Sequence, residues 1–530
     1  MTARIVQKVD NQIAIYNDKR KLLKEFELKE NLQRNLQFLK QINSLKTIDR
    51  VPIYQTKMIN GISAWSFHQA VLFRNFLWDY TRYEEIIRFL FEHQIKKVAL
   101  DVQEPKLESY LEKSGIKVIG KFRLTPFIKS FFSVFLKLIG QIISLLAIGK
   151  LIISRTSLLV YTPDKFAKKY GCDFRFHAVY QYLREKRITY LEAFHTLFSR
   201  EFLRSVWQRK RLAIYLEAFP FFFIKRHSAV QNYDLSVFEA HNRRYLQCLL
   251  RLIDYESAKS IKRIKSLSRL LKLSHVKTLV AIDDVRYVNE LVVACKFNKI
   301  KTYGFQHGLF SKYHVGWMNY GIPKELSSTF DKLFIWNDYC KKTLLDYSTQ
   351  YEGNNVEISG SLKELKPINY QKKPAKLPLK ILVPYESYAP KKEVKYYLDK
   401  LLILGSELFF KPRPDASINS QLKEYGLGKS DKLKIIKEID ENVLSQTDAV
   451  VGTYTAFLNE MIFYEKPIFI VETSLDLGHR LIEDKLGFLV KKNFQIEKLL
   501  DYVKNYQSKK DEAWPPTLVK LRDILEKLNL

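Results

Sequence analysis

Acidic residues are scarce in this chain. Fifty-seven Asp and Glu stand against 88 Lys and Arg in 530 residues, a formal net charge of +31. Such an excess implies a polyanionic partner: nucleic acid, an anionic membrane surface or phosphorylated substrates. Cysteine is scarcer still. Cys172, Cys248, Cys295 and Cys340 are too widely spaced for a metal-ligand pattern, and they read as free thiols in a reducing compartment. Long apolar runs are missing as well. In the most apolar region, 122–155, the longest uncharged run is the twelve residues Leu138 to Gly149, whereas a membrane span needs about 20. The amino terminus, MTARIVQKVDNQ, lacks the apolar core of a signal peptide, so a cytoplasmic location is expected. Zinc-finger, RNP and basic-zipper patterns are absent, which argues against nucleic acid as the partner. No Asp-x-Asp triplet occurs, so no metal-diphosphate clamp is expected and no metal or other cofactor is assigned. Neither repeats nor low-complexity tracts interrupt the chain.

What is present is globular, with 46% hydrophobic and 14% aromatic residues, and at this length two domains are expected. Residues 10–48 carry apolar side chains three and four apart and are predicted helical, as is the aromatic-rich stretch from Ala64 to His93. A β-α-β signal follows: strand Lys97–Asp101, a helix over 107–113 stopped by Gly115, and strand Ile116–Ile119. Region 122–155 is punctuated by Lys129, Lys137, Lys150 and Arg155 and fits an interfacial or re-entrant helix with snorkelling lysines; a buried core helix is the alternative. A second basic and aromatic stretch, 202–227, contains Arg209-Lys210-Arg211 and Phe221-Phe222-Phe223, a membrane-surface pattern. Another β-α-β unit runs from strand 277–282 through a helix over 288–298 to strand 300–305. After a linker-like segment, 317–329, eight predicted strands alternate with helices up to residue 490, the pattern of a doubly wound parallel sheet.

Two stretches carry candidate chemistry. In the first, strand 300–305 ends at Gln306-His307-Gly308, placing an imidazole where open α/β sheets bind substrates. His307 is suited to accept a proton near neutral pH; a strand-end histidine bonded to a nearby carbonyl is the structural alternative. In the second, Asp448 to Pro467, a buried strand ends at Gly452 and Thr453-Tyr454-Thr455 opens a helix. Backbone N–H groups and two hydroxyls there make an anion site, unless the threonines only cap the helix. Glu460 lies further along, within reach of ribose hydroxyls. Asp283-Asp284 ends strand 277–282 and is a second candidate base, or a solvated turn.

The pair of motifs, TYGFQHG at 302–308 and GTYTAFLNEMIFYEKP at 452–467, resembles GT-B glycosyltransferases of bacterial surface-polysaccharide assembly. QHG-type elements occur in capsule-type and Kdo-transferase-like members, and a related WHG element in the teichoic-acid polymerases. The likeness covers roughly 275–490. It implies an α/β fold of two Rossmann-like domains facing a cleft: an acceptor-side domain, 1–325, with membrane-associating segments near 122–155 and 202–227; a donor-binding domain, 326–510; and a C-terminal helix, 511–530, crossing back. His307 would be the base, with Asp284 or Asp283 as second choice and Gln306 and Gly308 shaping the acceptor loop. Ser359-Gly360-Ser361 would line the phosphate, Lys411 and Arg413 would neutralise the leaving phosphate, and Gly452, Thr453, Thr455 and Glu460 would hold the donor. The His-Pro element of CMP-sugar users is Arg413-Pro414 here, which disfavours a CMP donor. Gly452 in place of the earlier glutamate of retaining enzymes points to inversion.

The expected activity is therefore transfer of a sugar from a nucleotide-sugar donor to a lipid-linked or glycan acceptor, on the inner face of the cell membrane. A polyol-phosphate (CDP-glycerol-type) transferase and a sugar-nucleotide epimerase are alternatives on the same fold. A catalytically inactive polyanion-binding protein is the alternative of another class.

Overall fold

The structure is a computed structural model describing residues 2–9, 12–28, 31–102, 105–119, 126–163, 166–167, 170–194, 212–217, 231–282, 286–362, 365, 367–371, 374–414, 417–428, 431–514 and 521–528. Strand segments such as Leu158–Thr162 (LLVYT), Thr278–Ile282 (TLVAI), Lys380–Pro384 (KILVP) and Ile468–Val471 (IFIV) are apolar almost throughout and buried almost throughout. Continuous apolar strands of this kind need cover on both faces, and they assemble into two parallel sheets. The first has seven strands in the spatial order Ala213–Tyr215, Tyr190–Phe194, Leu158–Thr162, Thr278–Ile282, Lys301–Phe305, Lys332–Ile335, Val356–Ile358. The second has six, in the order Leu433–Ile435, Glu407–Lys411, Lys380–Pro384, Ala449–Gly452, Ile468–Val471, Phe488–Val490. The fold is thus α/β with two Rossmann-like halves facing a cleft, the GT-B arrangement.

The first half runs further than its predicted end at residue 325. Leu333 pairs with Gly304, and Val356 with Leu333, so strands Lys332–Ile335 and Val356–Ile358 complete the first sheet. Unbroken alternation of strand and helix across 300–400 hides this boundary, because sheet membership leaves no mark on local pattern. The predicted linker at 317–329 is packed: Trp317 and Met318 are buried, and the side chains of Gln350 and Ser348 bond the Trp317 carbonyl.

A third, five-stranded sheet stands in front of the chain, ordered Leu22–Glu27, Gln12–Asn17, Thr2–Val9, Lys97–Asp101, Lys117–Ile119. Two of its strands replace much of the helix predicted over 10–48, of which only Leu32–Asn43 is helical. Leu22 and Phe26 misled because a spacing of four fits either period, yet a register shift in the strand leaves Leu22 exposed and Phe26 buried. The stretch from Ala64 to Glu92 is one helical run, with a wider π turn at Phe73–Leu77. Glu84 anchors this region: Arg34 donates to both carboxylate oxygens (3.1 and 2.7 Å) and Asn242 adds a third bond at 3.2 Å. Burial pushes the Glu84 carboxyl up, but the His241 ring 3.8 Å away and the hydrogen bonds from Arg34 and Asn242 outweigh it and hold it at about 2.

Region 122–155 contains one 28-residue helix, Pro126–Ile153. Ala147, Ile148 and Leu151 are buried, and the Ser144 hydroxyl accepts a bond from the Tyr215 N–H at 3.0 Å. On another side Leu138, Ile142, Leu145, Leu146 and Ile153 are exposed by 46–82%. No helix among the described residues is long and apolar enough to cross a membrane. The second membrane-surface stretch, 202–227, lies outside the described residues apart from 212–217, which hold the edge strand Ala213–Tyr215. At the carboxyl end, helix Leu521–Lys527 crosses back onto the first half. Leu521, Ile524 and Leu525 share a core cluster with Val179, Tyr180 and Leu183, and Arg522 pairs with Glu185 at 3.3 Å.

Candidate functional site

Both parallel sheets point their carboxyl ends at the cleft, where open α/β sheets bind ligands. In the first half, strand Lys301–Phe305 delivers the Gln306-His307-Gly308 turn. Gln306 is fully buried and works as a brace. Its amide donates to the Gly308 carbonyl at 2.7 Å, its side-chain oxygen accepts from Trp336 N–H at 3.0 Å, and its backbone carbonyl accepts from the Trp336 indole at 3.0 Å. His307, next along, is half-buried. A Cβ built on Gly308 would meet nothing within 4 Å, whereas one on Gly304 would strike the Phe330 ring at 2.3 Å. Close packing therefore demands Gly304, and the space over Gly308 is open.

In the second half, strand Ala449–Gly452 leads through Thr453-Tyr454-Thr455 into helix Ala456–Phe463. Thr455 caps the helix, its hydroxyl accepting from Phe457 N–H at 3.4 Å. The anion held by this loop is the protein's own Glu386. Its carboxylate accepts from Thr453 N–H (2.8 Å), the Thr453 hydroxyl (2.6 Å) and Tyr454 N–H (2.9 Å). A Cβ on Gly452 would lie 2.8 Å from the same carboxylate, so the glycine makes room for Glu386. Burial raises the Glu386 pKa, opposed by the bonds from Thr453 and Tyr454. Glu460 is half-buried in the second turn of the helix. Lys466, at the end of the motif, is buried and structural: its ammonium bonds the Leu444 and Thr447 carbonyls and lies 4.5 Å from the Tyr370 ring centre.

The two motif loops touch. The Tyr454 hydroxyl donates to the Leu309 carbonyl and lies 3.1 Å from His314 Nδ1, just past the histidine turn. Around this junction the halves are also tied by Arg480–Asp346 at 2.8 Å and by the Tyr313 and His479 rings, 5.9 Å apart.

Beside the junction lies a cavity of about 1240 Å³. One wall is a helical stripe of the amino-terminal region, including Arg74, Trp78 and Arg82, continued by Glu217, Arg286 and Tyr287 at strand ends of the first sheet. The other wall is Ser387 to Glu393, Glu472 to Ser474 and Lys492, at strand ends of the second. Arg413 approaches this wall. Its guanidinium donates to the Ser387 hydroxyl at 2.9 Å and stands 5.6 Å from the Phe174 ring centre of the first half. Lys411, two residues earlier, points its ammonium toward the Pro412 carbonyl at 3.4 Å. Lys391 bonds the Glu386 carbonyl, and burial lowers its pKa.

The proposed site residues are not all brought together. Tyr454, between Thr453 and Thr455, meets Leu309 two residues past His307, but none of His307, Gly452, Thr453 and Thr455 lines the cavity, which Arg413 approaches through Ser387. Ser359-Gly360-Ser361 follows the last strand of the first sheet rather than entering the second half, and Ser359 is buried with its hydroxyl on the Ile335 and Gly360 carbonyls (3.3 and 3.1 Å). Asp283 and Asp284 lie outside the described residues. Sequence reasoning missed Glu386, Tyr454 and Arg286; the one signal for Glu386 was a carboxylate just past the strand Lys380–Pro384, in PYESYAP. Among the described residues no group of three or more His, Cys, Asp or Glu is placed to hold a metal ion.

No family model matches the chain, and no curated protein matches it. Among solved structures it is similar to the UDP-GlcNAc 2-epimerase of Methanocaldococcus jannaschii in complex with UDP-GlcNAc and UDP: 14% identity over 70% of this chain and 99% of that one, TM-score 0.38. It is similar also to the calicheamicin glycosyltransferase (10% identity, 70% and 95% covered, TM-score 0.39) and to a glycosyltransferase of Rickettsia africae (12%, 70% and 96%, TM-score 0.37). At such scores and identities the likeness carries no argument about activity.

Proposed function

We propose that the chain is a glycosyltransferase that moves a sugar from a nucleotide-activated donor to a lipid-linked or glycan acceptor in bacterial surface-polysaccharide assembly, with inversion. The observation that carries this reading is the junction itself: a loop bearing an imidazole and a helix start from the opposite half meet where the carboxyl ends of both sheets converge. In the proposed reaction His307 takes the proton of an acceptor hydroxyl. The acceptor oxygen then bonds the anomeric carbon as its bond to the donor phosphate breaks. The departing phosphate takes the electron pair, and fixed cations, Lys411 and Arg413 with Lys391, hold it. Thr453 has its donors engaged by Glu386 in this state, so the lysine and arginine groups are assigned the phosphate, while Thr455 and Glu460 stay on the donor side.

A thermal-shift screen with UDP, GDP, CDP and CMP, followed by nucleotide release from the matching sugar donors, tests the reading. One nucleotide is expected to raise the melting point; at 100 times its Kd the stabilisation is about 2.7 kcal/mol. Release is expected to depend on added acceptor. Acceptor-independent incorporation of solvent deuterium into the donor sugar, the mark of epimerisation at a C–H centre, would replace transfer with the epimerase alternative. No shift with any nucleotide would remove both.

The proposed site of action is an anionic membrane surface. Leu138, Ile142, Leu145, Leu146 and Ile153 form an exposed apolar row on helix Pro126–Ile153, with Lys150 and Arg155 close by, in a chain of net charge +31. The protein is expected to sediment with phosphatidylglycerol vesicles, and the double substitution Leu145→Asp, Leu146→Asp to weaken this at least about tenfold, since inserting a leucine is worth about 1.5–3 kcal/mol. Equal binding by the variant would rule out the row.

A further inference from the structure

The loop at the start of helix Ala456–Phe463 is held from three sides. Below it, the buried Glu386 carboxylate gathers two successive backbone N–H groups and one hydroxyl. Beside it, Gly478 packs so tightly on the Thr453 carbonyl that an added Cβ would stand 2.4 Å from that oxygen. Across the cleft, Tyr454 reaches the other half through its hydroxyl. The receiving loop is equally constrained. Gln306 and Trp336 fix its beginning, and Ser311 N–H donates to His314 Nδ1 at 3.2 Å. That bond makes Nδ1 an acceptor and leaves the imidazole hydrogen on Nε2. His307 lies between these two anchor points.

We propose that Tyr454 is a strut coupling the helix start of the second half to the histidine loop of the first, and that Glu386 is the positioning residue that sets it. A carboxylate gathering adjacent N–H groups fixes the backbone orientation of residues 453–454, and that orientation decides where the Tyr454 ring projects. Movement of the helix start therefore pulls on Leu309 and, through it, on the turn carrying His307. The coupling is a property of the junction and holds whichever reaction the cleft performs. Arg480–Asp346 and the Tyr313–His479 contact keep the halves together without it, so removing one hydroxyl changes the coupling and leaves the assembly.

Amide hydrogen exchange on the full-length protein, without substrate, tests this. Tyr454→Phe keeps the ring and loses the strut's hydrogen bond. Peptides spanning 306–316 are expected to exchange about tenfold faster, the effect of one hydrogen bond lost from a local opening equilibrium, with an unchanged melting point and unchanged exchange in the second-half sheet. Glu386→Gln presents an amide N–H to the Thr453 and Tyr454 donors and is expected to speed exchange at 453–457 and at 306–316 together. A role confined to the local loop would speed 453–457 alone and overturn the coupling. Unchanged exchange at 306–316 in Tyr454→Phe overturns it outright, and that variant decides the matter if Glu386→Gln does not fold. The readout requires no turnover, so a protein that transfers no sugar can still pass or fail it.

Discussion

His307→Ala is expected to lower turnover by about 10²–10⁴-fold while leaving nucleotide binding within about twofold of the parent. The size follows from general-base catalysis, in which one positioned proton acceptor contributes about that factor. The selectivity follows from position. His307 belongs to the first half, whereas the cations and hydroxyls assigned to the donor belong to the second. Its loss therefore removes a transition-state contact and spares the nucleotide contacts. Stability is expected to change little, because the side chain is half-buried and Gln306, its buried neighbour, braces the turn. Steady-state rates and a nucleotide titration on the same preparation check both parts. Unchanged turnover would remove the imidazole from the mechanism and leave the acceptor proton to another group.

Glu290→Ala should produce the largest loss of stability, about 3–5 kcal/mol, the cost of leaving a buried charge without its partner. Arg263 meets both Glu290 oxygens, at 2.8 and 2.6 Å, and the Ser260 hydroxyl donates a third bond at 2.5 Å. Arg263 and Glu290 are 3% and 0% exposed, so water cannot substitute for either. Urea unfolding measures the loss. Arg263→Met with Glu290→Leu is expected to recover most of it, because desolvation consumes much of the attraction in such pairs. The same cluster gives stability a pH dependence of known sign. His68 Nε2 donates to Ser260, and burial, reinforced by the charges of Arg286 and Arg263, lowers its pKa well below 6.5. Unfolded, the imidazole titrates near 6.5, so in that window the unfolded chain binds more protons. Stability attributable to His68 is thus complete above about pH 6.5 and is lost as pH falls below it. The consequence reaches the cleft: Arg286 lies 3.6 Å from Glu290, and Tyr287 has the Arg263 and Arg286 guanidinium groups 4.9 and 4.4 Å from its ring centre.

The second half is the most legible part of the sequence. Its strands are short apolar runs closed by glycine, proline or polar residues, and each predicted one from Lys380 to Val490 corresponds to a strand. The amino-terminal hairpin was misread because the spacing of Leu22 and Phe26 suits both periodicities. The boundary was misplaced because strands Lys332–Ile335 and Val356–Ile358 resemble their successors in everything but their pairing partners. At the junction, Thr453 and Gly452 were legible as a strand end opening a helix, yet the group facing them was not. Glu386 sits 67 residues earlier, and a buried carboxylate looks like any surface glutamate until folding closes over it. Tyr454 stood inside a recognised motif and still went unassigned, since an aromatic between two threonines does not declare which way it points.

Helix Leu521–Lys527 makes order of synthesis matter. Leu158, Val160, Val280 and Ile282 of the first sheet share their core with the last described residues of the chain. While the ribosome is still producing the second half, that patch of the first has no lid and exposes oily surface to whatever is nearby. A cut between the two halves is thus expected to strip this patch of its cover while leaving the second half its own cluster, Leu379 to Leu499.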